Sequence, residues 1–364
     1  MPKTLKSWPS AAGFRMPGEF EPHRGCWMLW PERPDNWRLA AAPARRAWVA
    51  VASAIASSEP VTVGASARQF ATARSMLPVR IRVVRLASND AWMRDVGPTF
   101  VVDARGRRRG IDWRFNAWGG VQRGIYSPWD ADDRVARRVL AHELAARYRA
   151  PFVLEGGAIH VDGQGTLITT EECLLNPNRN PTLSRAAMEE RLRHYLGVTK
   201  IIWLGRGVIN DETGGHVDNL CCFVRPGVVC LTWTDDRHDP QYDISRDAYA
   251  RLKAARDARG QPLRIHKLHQ PGPLYMTAAE ARGIQRKNGT MPRKAGDRLA
   301  GSYVNFYIAN RAIVMPLLDP KRDRAAAEKL RSLFPRRRVI GVPAREILLG
   351  GGNIHCITQQ VPGR

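Results

Sequence analysis

Four short segments of the chain set polar side chains beside glycine. They are Asn89-Asp90-Ala91-Trp92-Met93-Arg94-Asp95, Leu154-Glu155-Gly156-Gly157, the run from Asn210 to Asn219, and Gly350 to Cys356. Glycine near strand ends lets backbone approach a ligand closely, and binding and catalytic residues collect in such loops. Together the segments offer a thiol, histidines and several carboxylates, the material of two different sites. One is a metal centre on His160, Asp162, His216, Asp218 and His355, since imidazole and carboxylate are ordinary zinc and iron ligands. The H-x-D spacing puts both side chains on one face of a strand, where hydrogen bonding explains it equally well. No H-E-x-x-H and no C-x-x-C pair accompanies it.

The other site is a cysteine nucleophile, Cys356, with a histidine acid/base and carboxylates that hold a cation. A thiolate is intrinsically nucleophilic, and a neighbouring histidine can activate it. Carboxylates around a thiol raise its pKa unless the substrate itself brings positive charge. The electrophile is therefore expected to be cationic. A guanidinium fits, because its planar fork of N–H donors matches paired carboxylates. The plainer reading makes Cys356 a core residue near a C-terminal strand and the acids turn formers. Each residue taken singly favours that reading, and the set favours a site. Cysteines 26, 173, 221, 222 and 230 read as small buried hydrophobes, with no disulfide framework expected in so long a chain.

Regular elements must position these groups. Short β-rich runs recur at Val61 to Val63, Ile81 to Leu86, Phe152 to Leu154, Ile201 to Leu204, Val228 to Trp233, Phe306 to Met315 and Val339 to Val342. Helical periodicity lies between several of them: over Asp132 to Tyr148 with Val135, Val139, Leu140, Leu144 and Tyr148 on one face, after Asn180-Pro181-Thr182, and over about Ile244 to Arg256. Strands alternating with helices predict an α/β protein. There is also an internal echo. Gly156-Gly157-Ala158-Ile159-His160 returns 195 residues on as Gly351-Gly352-Asn353-Ile354-His355, and His160-Val161-Asp162 returns 56 residues on as His216-Val217-Asp218. A repeat near 60 to 65 residues accounts for both offsets, and such units stack linearly or close into a ring.

The 364 residues are 44% hydrophobic and 25% charged, which excludes a disordered or collagen-like chain. No apolar run suffices for a membrane span and no leader pattern opens the chain, so a soluble cytoplasmic protein is expected. Lys+Arg 57 against Asp+Glu 34 gives a formal net charge of +23. That makes nucleic acid a partner to weigh. The charge is spread, however, with tight clusters only at Arg105 to Arg109 and Arg336 to Arg338, and reads as a basic solvated surface.

The chain resembles the agmatine deiminases of the guanidine-modifying superfamily, which also holds arginine deiminases, amidinotransferases and bacterial peptidylarginine deiminases. The resemblance runs from about Phe14 to Pro362. It is carried by Phe14-Arg15-Met16-Pro17 with Glu21-Pro22-His23, Trp92-Met93-Arg94-Asp95, Phe115 to Gly120, Leu154 to His160, Thr169 to Pro181, Gly215 to Asn219, Ser302 to Asn310 and Gly350 to Gln360. It lapses over the basic stretch Arg282 to Arg298. The resemblance implies one catalytic domain over residues 14–362 behind a 1–13 extension, folded as a fivefold pseudosymmetric α/β propeller (a pentein) of ββαβ-type repeats around a central channel. It implies Cys356 as nucleophile, His216 as acid/base, and Asp95, Glu155 and Asp218 as guanidinium-binding carboxylates. Trp92 would wall the channel, and Glu212 or Asp211 would face the far amine. The implied reaction is hydrolysis of agmatine to N-carbamoylputrescine and ammonia, without metal or organic cofactor. Action on arginine or peptidyl-arginine, amidino transfer, and a basic nucleic-acid-binding protein are the alternatives, and a homo-oligomer is compatible with any of them.

Overall fold

Five sheets obey one rule in the computed structural model, which describes residues 2–363. Thr99–Val102 pairs antiparallel with Arg108–Arg114, which pairs parallel with Ala146–Val153. The pattern returns in His160–Val161, Thr166–Thr170 and Lys200–Leu204, and again in Cys221–Arg225, Val228–Trp233 and Arg264–His269. Tyr307–Ile308, Ala312–Leu317 and Arg338–Pro343 repeat it a fourth time. The fifth copy joins the two ends of the chain. Gln359–Pro362 pairs antiparallel with His23–Leu29, which pairs parallel with Val61–Ala65, and Arg82–Arg85 adds one more parallel strand.

Parallel neighbours cannot be joined by a tight turn and need a crossover, usually helical. Each of the six parallel pairs has one: Ala42–Ile55, Phe70–Met76, Val135–His142, Arg185–Leu196, Gln241–Ala254 and Asp323–Leu333. Their burial follows the helical period. Gln241–Ala254 buries Ile244, Ala248 and Leu252, and Asp323–Leu333 buries Ala326, Leu330 and Leu333. Ser184 caps the start of Arg185–Leu196 by accepting from the Ala187 N–H, and Gly197 ends it at φ +67°. The strand Val228–Trp233 is buried throughout, as a strand covered on both faces must be. The apolar interior is accordingly divided among several clusters, one of which gathers Leu204, Leu220, Phe223, Leu231 and Ile244 around the third sheet.

The first strands of the units begin at residues 99, 160, 221, 307 and 359, in steps of 61, 61, 86 and 52. The expected period near 60 to 65 residues holds for the first two steps. The echoed fragments, however, do not occupy matching places. His160 opens a strand, His216 precedes the short helix Val217–Leu220, and His355 opens the 3-10 turn His355–Ile357. The long 86-residue step carries an insertion, the ribbon of Leu274–Tyr275 with Arg298–Leu299, which brackets the basic stretch.

Two expected elements differ. The helix expected over 132–148 stops at His142, Leu144 stands 94% exposed at φ +50°, and Tyr148 lies in a strand opposite Ile111. The apolar spacing fits either element, and pairing along Arg108–Arg114 decides it. The strand expected over 306–315 is a hairpin that turns after Ile308. The Arg105 to Arg109 cluster lies at a hairpin turn, and Arg336 to Arg338 leads into a strand. The first residues are tied down: Leu5 N–H donates to the Arg147 carbonyl, and Arg147 N–H to that of Lys3, each at 2.8 Å. Among the described residues no helix is long and apolar enough to cross a membrane.

Candidate active site

The candidate residues occupy the same place in successive units, the short turn before the first strand. Met93–Val96 carries Asp95, Glu155 precedes Gly156–Ala158, and Val217–Leu220 carries Asp218 with His216 just before it. His355–Ile357 carries Cys356, and in the fourth unit Asn305 lies just before Tyr307–Ile308. These side chains meet. Cys356 Sγ lies 3.7 Å from Asp218 Oδ2 and 3.3 Å from Asn305 Nδ2. His216 stands between two acids, with Nδ1 3.8 Å from Asp95 Oδ2 and Nε2 3.5 Å from Glu155 Oε2. Those are ion-pair separations rather than hydrogen bonds, so both ring nitrogens lack a hydrogen-bond partner among the described residues. Asp218 Oδ1 lacks one as well.

Supporting contacts orient each group. Asp95 accepts from the Gly157 N–H at 2.9 Å and from Trp118 Nε1 at 3.0 Å. Glu155 is paired with Arg179, Nε to Oε1 at 2.9 Å, and both side chains are wholly buried. Cys173 Sγ lies 4.0 Å from Glu155 Oε2, a second thiol beside the imidazole. Gly157 is required by space: a Cβ there would stand 2.5 Å from His216 Nδ1, 3.0 Å from Asp95 Oδ1 and 3.1 Å from Asp218 Oδ2.

Electrostatics follow from burial and pairing. Burial pushes Asp95 up to about 6; His216 opposes the shift, and Asp218 and Glu155 add to it. Burial also works against ionised Glu155 and Asp218, yet Arg179 holds the first and His355 the second below the usual carboxylate range. For His216 burial favours the neutral ring, but Asp95, the Cys173 thiol and Glu155 outweigh it and keep the imidazolium well above its ordinary range. Burial, then Asp218 and Asp95, push the Cys356 thiol far up. The site therefore holds a protonated thiol and a charged imidazole, and Asp95 is the carboxylate whose cation, His216 at 3.8 Å, lies beyond hydrogen-bond distance.

Three of the expected residues are engaged by other partners. Asp211 accepts from its own loop, from Thr213 N–H and Oγ1 at 3.0 and 2.7 Å and from the His216 N–H at 3.0 Å, and also from Asn219 Nδ2 at 3.2 Å. It shapes the turn that presents His216, and its oxygens are engaged there rather than at a substrate amine. Glu212 is bound by Arg293, Nη1 to Oε1 at 2.5 Å, while its Oε2 crowds Gly351. Arg293 belongs to the basic stretch and also donates to the Gly350 carbonyl at 2.6 Å. Trp92 donates to Asp90 Oδ2 at 3.0 Å and lies against Gly352, where a Cβ would be 2.4 Å from its ring. The five metal candidates do not form one cluster: His160 and His355 gather with Glu19, Asp218 bonds His355 at 2.8 Å, His216 gathers with Glu155 and Cys173, and Asp162 accepts from Gln164 and Thr166 N–H in a turn.

A buried thiol, an imidazole and three carboxylates thus meet where the turns of successive units converge. The chain belongs to the family described as Porphyromonas-type peptidyl-arginine deiminase, whose model matches residues 15–362. Over 358 residues it is 59% identical to the agmatine deiminase of Pseudomonas aeruginosa strain LESB58, covering 98% of this chain and 97% of that one. It is 58% identical to the agmatine deiminase of Stutzerimonas stutzeri over 361 residues, 99% and 98% of the two chains. Its structure matches the agmatine deiminase of Enterococcus faecalis with a TM-score of 0.97, at 47% identity and 100% coverage of both chains.

Proposed function

We propose that the protein is an agmatine deiminase, which hydrolyses agmatine to N-carbamoylputrescine and ammonia through a covalent intermediate on Cys356. The observation that carries this reading is Asp95, a buried carboxylate with no hydrogen-bonded cation. Glu155 has Arg179 and Asp218 has His355, whereas Asp95 sits 3.8 Å from the nearest cation and is pushed up to about 6 by burial. A guanidinium placed between Asp95 and Asp218 gives Asp95 a hydrogen-bonding cation and finds Asp218 Oδ1 open to it. Relatives that cover the whole chain at 57 to 59% identity carry the agmatine deiminase name. A nucleophile only 4% exposed favours a small free substrate over an arginine carried on a protein.

The chemistry follows. Bound guanidinium offsets Asp218 and Asp95, so the Cys356 thiol gives up its proton to solvent, and the thiolate attacks the central carbon, whose C=N π pair moves onto nitrogen. His216, charged at the outset, gives its proton to the departing ammonia. An amidino-thioether remains on Cys356. Neutral His216 then takes a proton from water, whose oxygen attacks the same carbon; the carbon–sulfur bond breaks, the hydroxyl proton passes to the departing sulfur, and the ureido product leaves with the thiol and charged His216 restored. We infer further that the five sheets surround this site as an α/β propeller. One turn from each unit meets at the centre, and the last strand of the chain completes the first sheet. The test is incubation of purified protein with agmatine and, separately, arginine, measuring ammonia and ureido product. Release of both from agmatine is expected. Equal turnover of arginine would refute the substrate assignment.

A further inference from the structure

A second row of buried ionised groups lies behind the site, and the mechanism above does not use it. His355 Nδ1 is 2.8 Å from Asp218 Oδ2, and its Nε2 is 2.7 Å from Glu19 Oε2. Glu19 is fixed from its other side by the Ile308 N–H at 2.8 Å. Arg94 closes the cluster: its Nη2 lies 3.7 Å from Glu19 Oε2, its Nε donates to the His355 carbonyl at 3.3 Å, and its Nη1 donates to Gln360 at 2.7 Å. The ring of His160 stacks on that of His355 at 6.1 Å, and all of these side chains are buried.

An ionised carboxylate only accepts hydrogen bonds, so a ring bonded to one at each nitrogen carries both protons. His355 is thus an imidazolium, one residue from the nucleophile. The charges balance, with Asp218 and Glu19 against His355 and Arg94. His160 stays neutral, since burial outweighs the pull of Glu19 and, with His355 and Arg94, holds it down to about 4. Burial and Arg94 both oppose a charged His355, yet Glu19 and Asp218 prevail and raise it. The bond to Oδ2 also decides which Asp218 oxygen is left for substrate. Oδ1 is the one without a partner.

We propose that His355, locked by Glu19, is a positioning residue that turns Asp218 Oδ1 toward the substrate and keeps a fixed positive charge beside Cys356. This rests on the deiminase reading. The charged and titratable groups facing His355 are Asp218, Glu19, Arg94 and His160, and the Asp218 oxygen that it binds is the one 3.7 Å from Cys356 Sγ. Glu19→Gln removes the anion that holds the imidazolium while keeping an oxygen that can accept from it. With Arg94 still present, His355 then loses its proton at lower pH, and as pH rises the charge beside the nucleophile disappears.

The experiment is the pH profile of kcat/KM for agmatine in wild type, Glu19→Gln and His355→Asn, with melting temperatures alongside. Glu19→Gln should lose at least about tenfold in kcat/KM at pH 8 and acquire a basic limb at least one pH unit below that of wild type. His355→Asn keeps a donor toward Asp218 without the charge, and should be reduced at every pH with no such limb. A Glu19→Gln profile parallel to wild type, with only a lower melting temperature, would make the cluster a structural ion pair and overturn the proposal. Should neither variant fold, nitrogen-15 NMR of the wild-type protein decides, because a singly protonated His355 ring at pH 7 overturns it. Failure of the deiminase reading itself would show differently, as no turnover by wild type.

Discussion

Gly157→Ala is the sharpest steric probe of the site, because it adds one methyl group and removes no charge. The φ of Gly157 lies outside the left-handed region, so the backbone accepts alanine and only space is at issue. The new Cβ would stand 2.5 Å from His216 Nδ1, where an unstrained contact needs about 3.5 Å. Asp95 Oδ1 and Asp218 Oδ2, at 3.0 and 3.1 Å, need yield only a few tenths of an ångström. The strain therefore falls on His216, which must move by about 1 Å. It has little room, since its N–H is held by Asp211 at 3.0 Å and its ring is wholly buried. A displacement of about 1 Å in a reacting group costs on the order of 10²-fold in rate. We expect kcat for agmatine to fall about 10²-fold, KM to change far less, and stability to drop by about 1–3 kcal/mol. Gly64→Ala is the control. Its Cβ would meet Leu86 Cβ at 3.0 Å and Leu29 Cδ2 at 3.1 Å in another part of the core, so it should lower stability while leaving kcat per folded molecule unchanged. The assay is steady-state ammonia release together with thermal unfolding of both variants. A folded Gly157→Ala enzyme within about threefold of wild-type kcat would show that His216 is not the group whose position sets the rate.

Other perturbations separate the roles of the acids. Asp95→Asn and Asp218→Asn each remove a buried charged acceptor and should cost at least about 2 kcal/mol in kcat/KM, read from steady-state kinetics. Asp95 must be ionised to hold a cation, so kcat/KM should rise with pH through about 6 and be lost below it. Trp118→Phe deletes the 3.0 Å bond that stabilises the Asp95 charge and should move that acidic limb to higher pH; an unmoved limb would assign it to another group. Glu212→Gln should weaken agmatine use and shrink its preference over arginine. Arg293→Gln leaves Glu212 unopposed and should widen that preference by about tenfold. A ratio unchanged in both variants would place substrate discrimination elsewhere.

How much of this was legible in the sequence depended on distance along the chain. Strands such as Val228–Trp233 and helices such as Gln241–Ala254 announced themselves by local periodicity. Cys356, His216, Asp95, Glu155 and Asp218 stood out because each lies in a glycine-flanked segment shared with a known family. The groups that orient them did not. Glu19 and His355 are 336 residues apart and meet only because the last strand returns to the first sheet. Asn305, Trp118, Arg179 and Cys173 lie inside the matched segments Ser302 to Asn310, Phe115 to Gly120 and Thr169 to Pro181, and only Asn305, a polar residue between Val304 and Phe306, carried a local signal of its own. Asp211 and Glu212 show the converse. Adjacent acids look alike in sequence, and only the turn geometry sends one to the backbone of His216 and the other to Arg293.

The central claim, covalent deimination on Cys356, is tested most directly by intact and peptide mass spectrometry of the enzyme quenched in acid during turnover of agmatine. The account predicts an adduct equal in mass to agmatine less ammonia, confined to the peptide that carries Cys356 and absent from Cys356→Ser, which should show no turnover. An adduct on Cys173 or any other residue, or sustained ammonia release by Cys356→Ser, would contradict it.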